Sequence, residues 1–98
     1  MPLLSKAEIE TLLKSQSGWK LEDGKLVHDW SFRDFPEAIS FVNQVAQIAE
    51  SAGHHPDIDI RYNRVRLALV SHDAGGVTER DASMASTLDK RFSFLKKS

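Results

Sequence analysis

Twice in this 98-residue chain the apolar residues abandon helical spacing for strict alternation, and each alternating stretch doubles back on itself. In the first, Trp19 and Leu21 alternate with polar neighbours, Asp23-Gly24 supplies a strong turn signal, and Leu26, His28, Trp30 and Phe32 share one face of the return strand. In the second, Ile58, Ile60 and Tyr62 alternate with Asp57, Asp59 and Arg61, a turn is expected at Asn63-Arg64, and Val65, Leu67 and Leu69 alternate again. Two hairpins with one apolar face each need a common cover, and the segments between and after them have helical periodicity.

Ser5 and Glu8 form a capping box for a short first helix carrying Ile9, Leu12 and Leu13, which Ser15-Gln16-Ser17-Gly18 ends. Asp34 caps a second helix, with Pro36 in its first turn, where a missing N–H is harmless, and Glu37 three residues after the cap. Its expected stripe is Ala38, Val42, Val45, Ala49 and Ala52. Phe41 and Ile48 lie beside that stripe, and the extra width suits packing against a second subunit. Gly53 stands where a left-handed residue ends a helix. After a loop closed by Gly75-Gly76, Thr78 and Asp81 cap a last helix with Ala85, Leu88, Phe92 and Leu95 on its buried stripe, finished by Lys96 and Lys97. The order is α-β-β-α-β-β-α. The expected fold is α+β, a four-stranded antiparallel sheet with two long helices packed on one face, and residues 1–98 are expected to form a single domain.

Composition narrows the function classes. Thirteen basic against fourteen acidic residues, a formal net charge of -1, speak against direct nucleic-acid binding. The absence of cysteine removes thiol nucleophiles, CxxC redox chemistry and thiolate-bound metal. No apolar run reaches the length of a membrane span, and the first residues lack a basic-then-apolar signal, so a cytoplasmic location without membrane contact is expected. A chain this short buries little surface, which makes self-association an obvious source of further burial.

Chemistry concentrates in the histidines. His54, His55 and His72 fall at the ends of the second hairpin, and a two-residue turn at Asn63-Arg64 sets position 72 opposite position 55. Histidines at helix ends are commonly caps or surface residues, but three converging on one end of one hairpin suit general acid–base work near neutral pH. A zinc centre with three histidine ligands is the competing functional reading. It ranks lower because adjacent histidines in an extended segment cannot both reach one ion without a strained turn, and no HExxH spacing is present. Among Glu50, Asp57, Asp59, Asp73 and Asp81, one or two are expected to orient an imidazole. His28, in alternation with Leu26 and Trp30, reads as a packed or partner-facing histidine. Gly75-Gly76 lacks the lysine and serine of a phosphate loop.

The string Glu50-x3-His54-His55-Pro56-x5-Tyr62-x9-His72-x8-Asp81 resembles the signature of the pterin-4a-carbinolamine dehydratases. Thr78-Glu79-Arg80-Asp81 and the upstream Phe32-x2-Phe35-x2-Ala38-x2-Phe41 agree with it, so the resemblance covers nearly the whole chain. Ile58 departs from animal relatives, which often carry tryptophan there, and bears on the pocket wall. The resemblance implies an α+β fold, dimers or tetramers built through sheet edges and helix packing, and dehydration of 4a-hydroxytetrahydropterin to quinonoid dihydropterin in tetrahydrobiopterin recycling, with neither metal nor cofactor. It implies His55 as a substrate-binding residue and base, with His54 and His72 as acids that help the 4a-hydroxyl leave as water. Gly53, Val70, Ser71 and Asp73 would line the pterin site together with the three histidines, and Glu50, Arg80 and Asp81 would support it. An aromatic amino acid hydroxylase pathway would be the functional partner. The same resemblance carries a non-catalytic alternative, since the scaffold serves elsewhere as a dimerisation cofactor for a transcription factor and as an aid to Rubisco assembly. The complete histidine set favours catalysis, because a pure scaffold has little reason to keep it.

Overall fold

Along the chain run α1 (Lys6–Ser15), β1 (Lys20–Glu22), β2 (Lys25–Ser31), α2 (Phe35–Ala52), β3 (Asp57–Arg61), β4 (Arg64–Leu69) and α3 (Glu79–Arg91). This computed structural model describes residues 2–95. The α+β order and the antiparallel pairing agree with the sequence pattern, and the sheet runs β1-β2-β4-β3. Asp23 and Gly24 both take positive φ, 51° and 76°, the backbone a tight hairpin with right-handed strand twist requires.

Alternation decides burial. Leu26↔Leu69, His28↔Leu67 and Trp30↔Val65 are paired positions of β2 and β4, and all six residues are buried. The five apolar ones join Ala38, Phe41, Val45 and Ala49 of α2 with Met84, Ala85 and Leu88 of α3 in one hydrophobic cluster. Burial of each large side chain there stabilises by about 1.5–3 kcal/mol. Phe41 is the hub, with ring centroids 4.9 Å from Trp30, 5.0 Å from Phe32 and 4.7 Å from Phe92. The alternate positions hold the buried Val27 and the sheet's charges: Asp29 faces Arg66 across β2 and β4, and the edge strands display Lys20 and Glu22 on β1 and Asp57, Asp59 and Arg61 on β3. Charged edges discourage indiscriminate strand pairing.

Four local expectations are corrected. The second turn is Tyr62-Asn63, not Asn63-Arg64: Arg61 pairs with Arg64, and Tyr62 takes the left-handed conformation at φ 54°. Asn63 is instead held by Phe32, whose carbonyl accepts from Nδ2 at 2.7 Å and whose N–H donates to the Asn63 carbonyl at 2.8 Å. The shifted turn changes the register, so the expected pairing of position 72 with position 55 does not form, and β4 ends at Leu69. On α2 the buried face is Ala38, Phe41, Val45 and Ala49, while Val42 is half-buried and Ala52 exposed. Both sets of positions fit the helical period, and they differ in which flank of the shared Ala38, Val45 and Ala49 line turns inward: the larger Phe41 takes the core side in place of Val42. Finally, α3 ends at Arg91 with Phe92 as its C-cap, so Leu95 lies beyond the helix. Lys90 and Arg91 supply the cations of its last turn, and Lys96 and Lys97 lie outside the described residues.

Candidate active site

The end of α2 positions two of the histidines. Gly53, at φ 66° and ψ 26°, ends the helix in the left-handed conformation, and its N–H reaches the Ala49 and Glu50 carbonyls. A Cβ there would meet nothing within 4 Å, so the backbone angle and not crowding calls for glycine. Pro56 then biases His55 towards extended backbone, and the chain enters β3 at Asp57. His54 and His55 are thus placed between a helix end and a strand start, with their rings directed to different partners.

His54 is the buried one, its side chain 11% exposed. Its Nε2 lies 2.6 Å from Oδ1 of Asp81, a fully buried carboxylate in the first turn of α3. Asp81 Oδ2 accepts from the Thr78 N–H at 2.8 Å, closing the capping box, and from the Ser71 hydroxyl at 2.8 Å. Three donors and the positive end of the α3 dipole compensate a charge in this dry setting. His55 is 64% exposed and its Nε2 meets Glu50 Oε1 at 2.8 Å. His72, 75% exposed, lies with Nε2 4.0 Å from Asp57 Oδ1. Each histidine therefore has its own carboxylate, one buried and two at the surface. His72 comes near the start of β3 through Asp57 and not through strand register.

The segment bearing His72 is a short closed loop. Ser71 N–H donates to the Gly76 carbonyl at 2.9 Å, Ala74 and Gly75 donate back to the Ser71 carbonyl at 3.0 and 2.9 Å, and Gly75 takes φ 78°. Arg80 of α3 pins this loop through Asp73 Oδ1 at 2.6 Å, and that hydrogen bond, reinforced by the guanidinium charge, holds the Asp73 carboxyl below the usual carboxylate range.

A groove of about 610 Å³ opens between α2 and α3, with apolar walls from Ile48, Ala52 and Met84. Of the sequence-predicted residues, His54 and Arg80 line it; Gly53, His55, Val70, Ser71, His72 and Asp73 do not. The Ser71 side chain is turned inward onto Asp81 and Thr78, so a ligand at the loop surface would meet its backbone and not its hydroxyl. Sequence alone marks Asp57 only as one acid among five and Thr78 only as a cap; the Thr78-x-x-Asp81 spacing signals the cap, and the fold adds His54 to it. His28 is a packed core residue, stacked on Trp30 with centroids 3.6 Å apart and planes 4° from parallel. Among the described residues no group of three or more histidine, cysteine or acidic side chains is arranged to hold a metal ion, and no helix is long and apolar enough to cross a membrane.

Comparison with known proteins places this arrangement in context. The family model described as pterin 4 alpha carbinolamine dehydratase matches residues 2–91. A Chloroflexus aurantiacus protein is 56% identical over 90 residues, covering 92% of this chain and 97% of its own. One from Acidobacterium capsulatum is 55% identical over 89 residues, covering 91% and 97%. Both carry pterin-4-alpha-carbinolamine dehydratase as a provisional name. A crystal structure from Brucella melitensis, titled transcriptional coactivator/pterin dehydratase, superposes with a TM-score of 0.82 at 36% identity over 90% of this chain and 96% of that one.

Proposed function

The chain belongs to the pterin-4-alpha-carbinolamine dehydratase family, and from that premise we propose that it is a hydro-lyase converting 4a-hydroxytetrahydropterin to quinonoid dihydropterin and water. The observation that carries the proposal is the set of three histidines at the ends of the β3–β4 hairpin with carboxylates beside them: Asp81 and Glu50 at hydrogen-bond distance from His54 and His55, and Asp57 4.0 Å from His72.

The substrate carries its own driving group, since the ring nitrogen next to C4a can push its lone pair towards C4a. As that C=N bond forms, the C4a–O bond breaks, and the departing hydroxyl needs a proton to leave as water. His54 and His72 supply acid to that oxygen, and His55 takes the ring N–H proton, so one proton enters and one leaves. Asp81 holds the His54 ring in place through Nε2. Glu50 does the same for the exposed His55 ring at 2.8 Å, and His72 stands open to solvent beside Asp57. Acid–base assistance of this kind contributes about 10²–10⁴-fold. Gly53, Val70, Ser71, His72 and Asp73 offer backbone and side-chain polar groups to the pterin ring, and the Arg80–Asp73 pair steadies their loop.

The test is replacement of His54, His55 and His72 singly by alanine, following decay of chemically generated 4a-hydroxytetrahydropterin. Loss of rate in folded variants is the expected result; full activity in all three overturns the proposal. The Brucella melitensis title also names a coactivator, which supports a protein-binding role as a second reading. That reading expects the fold to tolerate loss of all three histidines while keeping its partner.

A further inference from the structure

Behind the histidines lies a buried hydroxyl pair that capping explains only on its Thr78 side. Ser71 Oγ and Thr78 Oγ1 are 2.7 Å apart, both side chains are buried, and Ser71 Oγ donates to Asp81 Oδ2 at 2.8 Å. With the Asp81 carboxylate as acceptor, proton counting fixes the direction of the whole chain of bonds. Ser71 has one hydroxyl proton and gives it to the carboxylate, so the proton between the two hydroxyls must be Thr78's. Thr78 Oγ1 in turn accepts the Arg80 backbone N–H at 3.3 Å. Every link therefore points the same way, from the Arg80 N–H through Thr78 and Ser71 to Asp81 Oδ2, which also accepts the Thr78 N–H at 2.8 Å. Both acceptor positions of Oδ2 are then occupied by donors that water cannot replace in this buried setting. Only Oδ1 is left for exchange, and it faces His54 Nε2 at 2.6 Å.

We propose that Ser71 and Thr78 are positioning residues, a one-way hydroxyl relay that anchors Asp81 Oδ2, keeps Oδ1 turned to His54 and thereby keeps the His54 proton on Nε2. This rests on the acid–base role given to His54 above. With Nε2 committed to Asp81, Nδ1 is the nitrogen that gains and loses the working proton, and the neutral ring left after each transfer is held in one tautomer. A bare capping box asks only for an acceptor at Thr78 and leaves the Ser71 hydroxyl unused; the relay needs the Thr78 hydroxyl as a donor as well.

The decisive variants are Ser71→Ala, Thr78→Val and Thr78→Ser, read by the ¹⁵N shifts of the neutral His54 ring at alkaline pH and by steady-state kinetics of 4a-hydroxytetrahydropterin decay. Ser71→Ala and Thr78→Val are expected to mix the two His54 tautomers and to lower kcat about tenfold, with KM changed by less than about twofold. Thr78→Ser, which retains the hydroxyl, is expected to restore both the Nε2–H signature and kcat. If Thr78→Val fails to fold, Ser71→Ala, which leaves the cap intact, decides alone. An unchanged Nε2–H signature in folded Ser71→Ala overturns the relay, as does full kcat. A native protein with no dehydratase rate overturns the functional reading instead, while the tautomer measurement still judges the relay.

Discussion

His54 and Asp81, 27 positions apart in the chain, meet with Nε2 2.6 Å from Oδ1, joining the exit of one helix to the entry of the next. Asp81→Asn removes the charge but keeps the shape, and it sets an amide where the imidazole needs an acceptor. The expected loss in kcat/KM is about 10²–10⁴-fold, comparable to losing an acid–base group outright. The same change weakens the α3 cap, so unfolding should become easier by about 1–3 kcal/mol. Urea titration beside kinetics separates the two effects. Glu50→Gln, at an exposed pair, should move stability by less than about 0.5 kcal/mol.

Asp29 and Arg66 bond twice across β2 and β4, Nε to Oδ1 at 2.7 Å and Nη2 to Oδ2 at 3.0 Å. The Arg66 hydrogen bonds hold the Asp29 carboxyl below its usual range, against the smaller opposing effect of burial. A carboxyl with a depressed value in the folded state contributes stability above the unfolded aspartate range and loses it as pH falls through the folded value. The urea midpoint of the native protein should therefore drop on acidification below about pH 4. Asp29→Asn should start lower at neutral pH and fall less over that range. An Asn variant with the same acid limb as the native chain would remove Asp29 from the account.

Gly18 sits against the buried His28 ring. A Cβ at that position would overlap Nε2 and lie 2.7 Å from Cδ2 and 2.9 Å from Cε1. The ring cannot swing aside, because it is stacked on Trp30 and meets Trp19 edge-on at 5.0 Å. Gly18→Ala should destabilise by about 1–3 kcal/mol, the range for an overpacked core. The unfolding midpoint is the measurement, and an unchanged value would mean that the aromatic stack yields.

Tyr62 carries a left-handed backbone, φ 54°, with its side chain mostly in solvent. A bulky residue in that region is strained by about 1–2 kcal/mol, and asparagine tolerates it far better. Tyr62→Asn should raise the urea midpoint by about 0.5–1 kcal/mol equivalent without changing the slope. A lower midpoint would show that the exposed ring makes a contact of greater worth than the strain.

Tyr62 also marks where the sequence was readable and where it was not. Asp23-Gly24 announces its turn because both residues favour positive φ, and the structure uses them. In the second hairpin Asn63 is the residue with turn chemistry, but Phe32 claims both its carbonyl and its side chain, and the left-handed position passes to tyrosine. Local preference lost to a tertiary hydrogen bond. The helix caps were legible for the opposite reason, since Ser5–Glu8 and Thr78–Asp81 are satisfied within four residues whatever surrounds them. The three histidines could be named from spacing, but their partners could not all be assigned: Asp81, Glu50 and Asp57 reach them from α3, α2 and β3 by packing that no periodicity encodes.

The double duty of Asp81 has an evolutionary consequence. Its carboxylate secures the first turn of α3 through the Thr78 N–H whether or not an imidazole faces its other oxygen. A descendant freed from the proposed dehydration could shed His55 and His72 from the surface and then His54, yet selection for a folded helix would still retain the aspartate. In any lineage built on this scaffold, a surviving Asp81 records folding, and only the histidine across from it records chemistry.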